Sequence, residues 1–345
     1  MKNISFILFI GLSALIFACS SQKQSNKINE KEYARILFYN VENLFDTLDA
    51  DGKSDAEYTP QSDKKWNTER YFDKLTKLSK VIINADSGYF PDLIGLSEIE
   101  NRAVVEDLIK TSSLKNEKYS ILHKESPDQR GIDVALVYGP SFKPLNTQFI
   151  FVDLPGNRTN TRDILYSKGL LFNDTVHVFV NHWPSRYGGK EISDPKRAFT
   201  AAILRNAVDS IQKADLNPKI IIMGDFNDYP SDSSLYVVLA ANKQVGEDPN
   251  ELINLAWSIN EAGQGSYYYK GDWGTLDQFI VSANLYGKKG LSVDDQSYII
   301  VKKDWMLYTD KKGVSSPSRS YGGDNYYGGY SDHLPILLKL SRNKD

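Results

Sequence analysis

Seven short apolar runs, rich in β-branched residues, punctuate the chain at positions 36–39, 93–96, 134–137, 176–180, 220–223, 279–281 and 336–340. Runs this short, bounded by polar residues, predict strands buried on both faces. Between them the spacing changes. Tyr71, Leu75, Leu78 and Ile82 recur at helical intervals, as do Phe199, Ala202, Ile203, Ala207 and Ile211 further on, and each set predicts an amphipathic helix laid over a sheet. Many strands with interspersed helices predict a layered α/β (α+β) fold with two packed sheets in the middle.

The ends of these runs carry the chemistry. Asn40 and Glu42 follow the first run, Glu98 the second, His182 the fourth, and Asp225 with Asn227 the fifth; Asp277 precedes the sixth, and Asp332 with His333 precede the last. Groups after four strands and before two share one edge only if those two strands run opposite to the others. This predicts mixed or antiparallel sheets and excludes a doubly wound parallel one. In Gly224-Asp225-Phe226-Asn227 the carboxylate and amide lie two residues apart, so in extended backbone they project from the same side. Taken alone, the segment fits a strand closed by an Asx turn equally well.

Charge and composition narrow the class. The chain has 44 Asp+Glu against 41 Lys+Arg, a net charge of −3, which excludes a protein that coats nucleic acid through a wide basic face but not an enzyme that grips a few phosphates. Lys2, the apolar stretch 4–18 and then Cys19, the only cysteine, look like a bacterial lipoprotein signal. The expected division is therefore a signal peptide at 1–18, a lipidated Cys19 with a polar tether to 32, and one domain at 33–345. Phe17 is larger than the residue usual before such a cysteine, which leaves secretion after cleavage near Ala18 as the alternative. The expected product is an exported monomer. It is either anchored through its lipid to the membrane of the cell envelope, on the periplasmic side or the cell surface, or secreted. With one cysteine it has no internal disulfide, so its core must hold the fold.

Asn40, Glu42, Glu98, Asp133, His182, Asp225, Asn227, Asp277, Asp332 and His333 together offer hard oxygen donors, amides and imidazoles, without a thiolate. Such a set suits Mg²⁺, Mn²⁺ or Ca²⁺ over zinc. Hydrolysis of a phosphate ester needs a cation, a group to activate water, and stabilisation of the transition state and leaving oxygen, all of which this set can supply. Each member also has a plainer reading. Glu98, near Glu100 and Arg102, can be a solvated loop charge; Asn40 and Asp277 can be turn residues; His182, beside Trp183 and Pro184, can be a packed loop histidine. His123 and His177 lack a motif and are expected to be structural.

Six motifs in order resemble the endonuclease/exonuclease/phosphatase superfamily, the deoxyribonuclease-I-like phosphoesterases. They are Tyr39-Asn40-Val41-Glu42-Asn43, Leu96-Ser97-Glu98, Val180-Asn181-His182-Trp183, Gly224-Asp225-Phe226-Asn227, Leu276-Asp277-Gln278-Phe279 and Ser331-Asp332-His333-Leu334-Pro335. The resemblance implies a four-layer sandwich of two sheets flanked by helices. It implies Glu98 as principal metal ligand with Asn40, Glu42 and Asp332 completing the site. Asp225 would act on the attacking water and Asn227 on the scissile phosphate, while His333, oriented by Asp277, would polarise that phosphate and His182 assist the leaving oxygen. Asp133 is an inexact match for the acidic partner of His182. Of the basic residues Arg158, Arg162, Arg186, Lys190, Lys196 and Arg197, the resemblance places Arg162 toward the phosphate, and Arg186 follows the histidine motif closely enough to bind substrate. The Tyr- and Gly-rich stretch 321–330 offers rings for stacking on bases, or packs on itself. The implied activity is metal-dependent hydrolysis of a phosphodiester, foremost as a nuclease, with a phosphomonoesterase, a sphingomyelinase-like enzyme and a non-catalytic anchored domain as alternatives.

Overall fold

Each apolar run lies within a strand in the computed structural model, which describes residues 33–156, 160–294 and 296–343. The segments expected to be a signal peptide and a tether, with Cys19 and Arg158, lie outside the described residues. The first sheet orders β14 (Gly290–Ser292), β20 (Ile336–Asn343), β1 (Tyr33–Leu44), β2 (Leu93–Ile99), β4 (Asp133–Tyr138) and β3 (Ser120–His123), with β15 (Tyr298–Ile300) also pairing with β20. The second orders β5 (Phe142–Ile150), β6 (Ile164–Leu171), β7 (Asp174–His182), β8 (Lys219–Asp225), β13 (Asp277–Ser282), β10 (Leu252–Asn254) and β9 (Ala241–Asn242). Strands β1 and β2 are parallel, as are β7 and β8, whereas β20 runs antiparallel to β1 and β13 to β8. The four strand ends and two strand starts picked out above therefore meet along one edge.

Alternation along the strands explains why they read as unbroken apolar runs. Ile36 and Phe38 of β1 join Ile221 and Met223 of β8 in the core between the sheets. Leu37 and Tyr39 face outward into a second cluster with Leu75, Leu78 and Ile82 of α1 (Thr68–Ile83) and Val104 and Leu108 of α2 (Arg102–Ile109). Ile220 and Ile222 face outward on the other side, against Ala201, Leu204 and Val208 of α3 (Lys190–Ala214). The result is the expected helix–sheet–sheet–helix sandwich. The stripe expected on α3 is displaced, however. Its buried face is Ser193, Arg197, Thr200, Ala201, Leu204 and Val208, and the residues expected there, from Phe199 to Ile211, are only partly buried along its flank. The polar members of that face escape an apolar-periodicity reading; Arg197 is buried because its guanidinium meets Asp228 at 2.8 Å.

Three two-stranded ribbons complete the chain: β11 (Tyr267–Tyr269) with β12 (Asp272–Gly274), β16 (Leu307–Thr309) with β17 (Ser315–Pro317), and β18 (Tyr321–Gly322) with β19 (Asn325–Tyr326). The tyrosine-rich stretch mostly packs on itself and its surroundings. Tyr321 lies against Trp66 and Tyr326, and Tyr330 against Trp305, which leaves Tyr327 as its outward-facing ring.

Candidate active site

Bent backbone aims the first acids. The β1–β2 register breaks between Asn40 and Leu44, and the β2–β4 register between Ser97 and Ile99. The residues accommodated there include Glu42, Asn43 and Glu98 at φ of 52°, 53° and 60°, and Asn227 beyond β8 has φ 52°. A left-handed non-glycine residue costs on the order of 1 kcal/mol, so four around one strand edge mark backbone bulged to redirect side chains.

These bulges bring Glu98, Asn40 and Asp225 together. Glu98 Oε2 accepts from the Asn43 backbone N–H at 3.0 Å, and its Oε1 accepts from Asn40 Nδ2 at 3.3 Å. The same Asn40 nitrogen donates to Asp225 Oδ2 at 3.1 Å. Asp225 Oδ1 accepts from the Asn227 N–H at 2.9 Å, so the Asx turn and the site are one structure: the turn fixes one oxygen and leaves the other facing inward. Pairing across β7, β8 and β13 sets His182, Asp225 and Asp277 in a row. His333, whose segment is held to β1 by the Ser331 hydroxyl donating to the Asn40 carbonyl, closes the group. Its Nδ1 donates to Asp277 Oδ2 at 2.7 Å, and Ser266 donates to the same oxygen.

Asp225 thereby stands between two imidazoles, with its Oδ2 at 3.8 Å from His182 Nε2 and 3.9 Å from His333 Nε2. The two rings carry different charge. Burial opposes a charge on His333, but Asp277, then Asp225 and Asp332, raise its pKa well above the imidazole range and keep it an imidazolium. Burial lowers His182 well below that range, helped by Arg162, Arg130 and His333, and keeps it neutral. Burial also pushes the Asp225 carboxyl up to about 7 against the pull of His333.

The remaining expected residues fall into place unevenly. Asn40 turns its nitrogen toward the acids, and its oxygen accepts from the Glu42 N–H at 3.0 Å. Glu42 is turned from Glu98 and accepts from the Ser320 N–H at 2.6 Å. Asp332 accepts from Arg319 at 3.1 Å. Arg162 is buried, with its guanidinium donating to Asp128 and to the carbonyls of His182 and Trp183, so it braces the His182 loop. Arg186 donates to the Asn227 carbonyl at 2.7 Å and pairs with Asp232 at 3.0 Å. Asp133 does not reach His182: it accepts from Ser126 N–H and meets His123 Nε2 at 2.9 Å. The reason is register, since His123 on β3 lies opposite Ala135, two residues along β4 from Asp133. Sequence reasoning missed Ser266 and Tyr267, although three consecutive tyrosines at 267–269 were a visible signal. The Tyr267 ring packs on His333 with centroids 4.7 Å apart.

The donor chemistry fits a divalent cation. Glu98 and Asp332 are the acids of the group that reach water, with side chains 16% and 21% exposed, and each can offer a carboxylate oxygen to an ion that keeps part of its hydration shell. Burial raises the pKa of Asp332 and of Glu42, with Glu98 adding to the first and Asp332 to the second, a crowding of negative charge that a bound cation would relieve. Asp225, Asp277 and His333 also lie within ligand distance of one another and form a second group that could hold an ion.

A family model described as Endonuclease/Exonuclease/phosphatase family matches residues 35–342. The chain belongs to this family. It is a metal-dependent phosphoric ester hydrolase with the deoxyribonuclease-I-like fold. Solved structures of similar fold include a humanised TDP2 of D. rerio, at 16% identity over 90% of this chain and 99% of that one, with a TM-score of 0.55. Others are a mannosyl-6-phosphatase of Bacteroides thetaiotaomicron (13%, 89% and 99%, TM-score 0.55) and the human Nocturnin catalytic domain with bound sulfate (17%, 90% and 95%, TM-score 0.52). No curated protein matches the chain.

Proposed function

We propose that this family phosphoesterase cleaves phosphodiesters by direct attack of water, with nucleic acid as its substrate class and Mg²⁺ as its metal. The observation that carries the reading is the placement of Asp225 between two imidazoles, with His333 held by Asp277 on one side and His182 on the other. A phosphodiester has two ester oxygens, and cleavage must stabilise the phosphoryl oxygens and the departing one separately. His333, held by Asp277, donates from Nε2 to a non-bridging oxygen. Asp225, with Oδ1 fixed by the turn, orients the water and takes its proton through Oδ2. His182 Nε2 faces carboxylate oxygens of Glu98 and Asp225, which favour the tautomer with its proton there, and that N–H donates to the leaving oxygen. Asn227 uses one amide hydrogen on the Trp183 carbonyl at 3.2 Å and presents the other to the phosphate. Glu98 and Asp332 would hold a divalent ion, which would supply neutralisation of the negative charge that builds up during cleavage.

The aromatic ladder favours a base-bearing substrate over a lipid or sugar phosphate. Tyr267 covers His333, and Tyr269, stacked on Tyr267 at 6.3 Å and 59% exposed, continues the surface outward as a platform for a nucleobase. Incubation with plasmid DNA, RNA, bis(p-nitrophenyl) phosphate, p-nitrophenyl phosphate and sphingomyelin, each with Mg²⁺ or EDTA, tests this. Degradation of nucleic acid that EDTA abolishes is the expected result, and release from the monoester without any diester cleavage overturns it. Residues 1–19 support an enzyme exported and tethered through Cys19. Cys19→Ser should then shift it from the membrane fraction to the soluble one; unchanged membrane association rejects the tether.

A further inference from the structure

Behind Glu42 lies a cavity of about 160 Å³ that the chemistry above leaves unused. Its walls include Glu42, Lys64, Trp66, Lys74, Arg319 and Tyr321. At about 30 Å³ per water it has room for roughly five waters, enough for a phosphate group with part of its linker. It adjoins the catalytic acids directly. Asn43, also in its wall, donates to Glu98, and Arg319 pairs with Asp332 next to His333.

The charges in these walls are unbalanced. Lys74, on the inner face of α1, is 2% exposed; it donates to the Ser320 hydroxyl at 2.6 Å, and among the described residues no carboxylate lies within ion-pair distance of it. Burying an ammonium is costly, and Glu42, Asp332 and Glu98 offset that cost only from beyond ion-pair distance. Lys64 is 8% exposed and donates to the Gly323 carbonyl; its acidic neighbours, Glu57 at 3.3 Å and Asp324 at 3.7 Å, are themselves largely in solvent. Arg319 adds a third cation, 3.6 Å from Glu42. Glu42 is the one acid among the lining residues, and its oxygens face the Ser320 and Tyr321 N–H groups, which hold it against the wall.

We infer that this cavity binds a second anionic group of the substrate, a terminal phosphate close to the scissile one. Three cations around a small, half-open recess suit a terminal group better than a continuing polymer backbone, because a polymer needs room to pass on both sides. The link to a scissile phosphodiester rests on the function proposed above, whereas anion binding by the cavity does not.

Calorimetric titration of metal-free protein with inorganic phosphate, in a His333→Ala background that weakens the catalytic phosphate contact, separates the two. Binding should persist in that background. Adding Lys74→Met or Lys64→Gln should weaken it at least tenfold; the second variant, nearer the rim, covers the case in which the first fails to fold. Unchanged affinity in folded variants overturns the site and reduces Lys74 to a structural counter-charge for the acids. A matched pair of dinucleotides, with and without a terminal phosphate, then reads the substrate link. The wild type should show a lower KM for the phosphorylated member with little change in kcat, and Lys74→Met should abolish that preference. An equal KM for the pair overturns the link, and phosphate binding without any dinucleotide cleavage rejects the nuclease reading while leaving the cavity intact.

Discussion

The hydrogen bond from His333 Nδ1 to Asp277 Oδ2 at 2.7 Å joins the ring to the acid that does most to raise its pKa, ahead of Asp225 and Asp332. Asp277→Asn keeps the shape and removes the negative charge, so His333 loses its main reason to hold a proton in a buried setting. A fall in kcat of about 10²–10⁴-fold is expected, with an unchanged circular dichroism spectrum and a lowered His333 pKa by NMR; wild-type kcat would refute the assignment. His182 is tested through the leaving group. His182→Ala should cost about 10²-fold or more on a dinucleotide, but little on bis(p-nitrophenyl) phosphate, whose nitrophenolate departs without help. Equal losses on both would show that His182 only props the loop. At this scale the sequence was informative where a side chain follows its own strand straight to the edge, as with His182, Asp225 and Asp277, or stands just before one, as His333 does three residues ahead of β20. It was silent where a bulge or a loop redirects the group. Glu42 turns to Ser320 across the fold, and Asp133 to His123 on a neighbouring strand.

Strands β7 and β8 hold His182 and Asp225 side by side only because Gly224 has no side chain. A Cβ there would lie 2.4 Å from the Asn181 carbonyl oxygen and 2.6 Å from its Cβ, both on the adjacent strand. Gly224→Ala should destabilise the fold by about 1–3 kcal/mol and also lower activity in the surviving folded protein, because relief of the clash must spread the two catalytic strands. Full activity with unchanged melting would show that the sheet yields elsewhere. Elements buried on both faces were legible as apolar runs, and α1 as a regular stripe. Strand β5 was not, since its edge position leaves much of it exposed and mixes polar residues through it. The real face of α3 was hidden as well, because Arg197 reaches it through an ion pair with Asp228, which periodicity of apolar residues cannot reveal.

Acid should weaken the whole molecule through a histidine far along β7 from the catalytic edge. Burial lowers the pKa of His177 to about 4 from 6.5, aided by Lys168, and its Nδ1 lies 2.9 Å from the Tyr166 hydroxyl. The unfolded chain takes up this proton first, so the contribution is intact above pH 6.5 and is lost as pH falls toward 4, by at most about 3 kcal/mol. Denaturant titrations of wild type and His177→Gln across that interval should diverge by a flatter slope in the variant; parallel curves would exclude His177 as a source. The layered architecture was readable from strands alternating with helices, and the shared edge from the implied strand directions. The cavity behind Glu42 was not, because its lysines come from α1 and the segment before it, and the opposite wall from near β18, with no motif to join them. The pairing of β1 with β20 has a consequence in time. Synthesis makes β1 first and β20 only after His333 has been added, so a nascent chain carries Asp225 and His182 without the imidazolium or the strand that seats β1. The site around Asp225 is thus assembled from segments far apart in the chain, and a shortened form that lacks His333 and β20 should leave it incomplete.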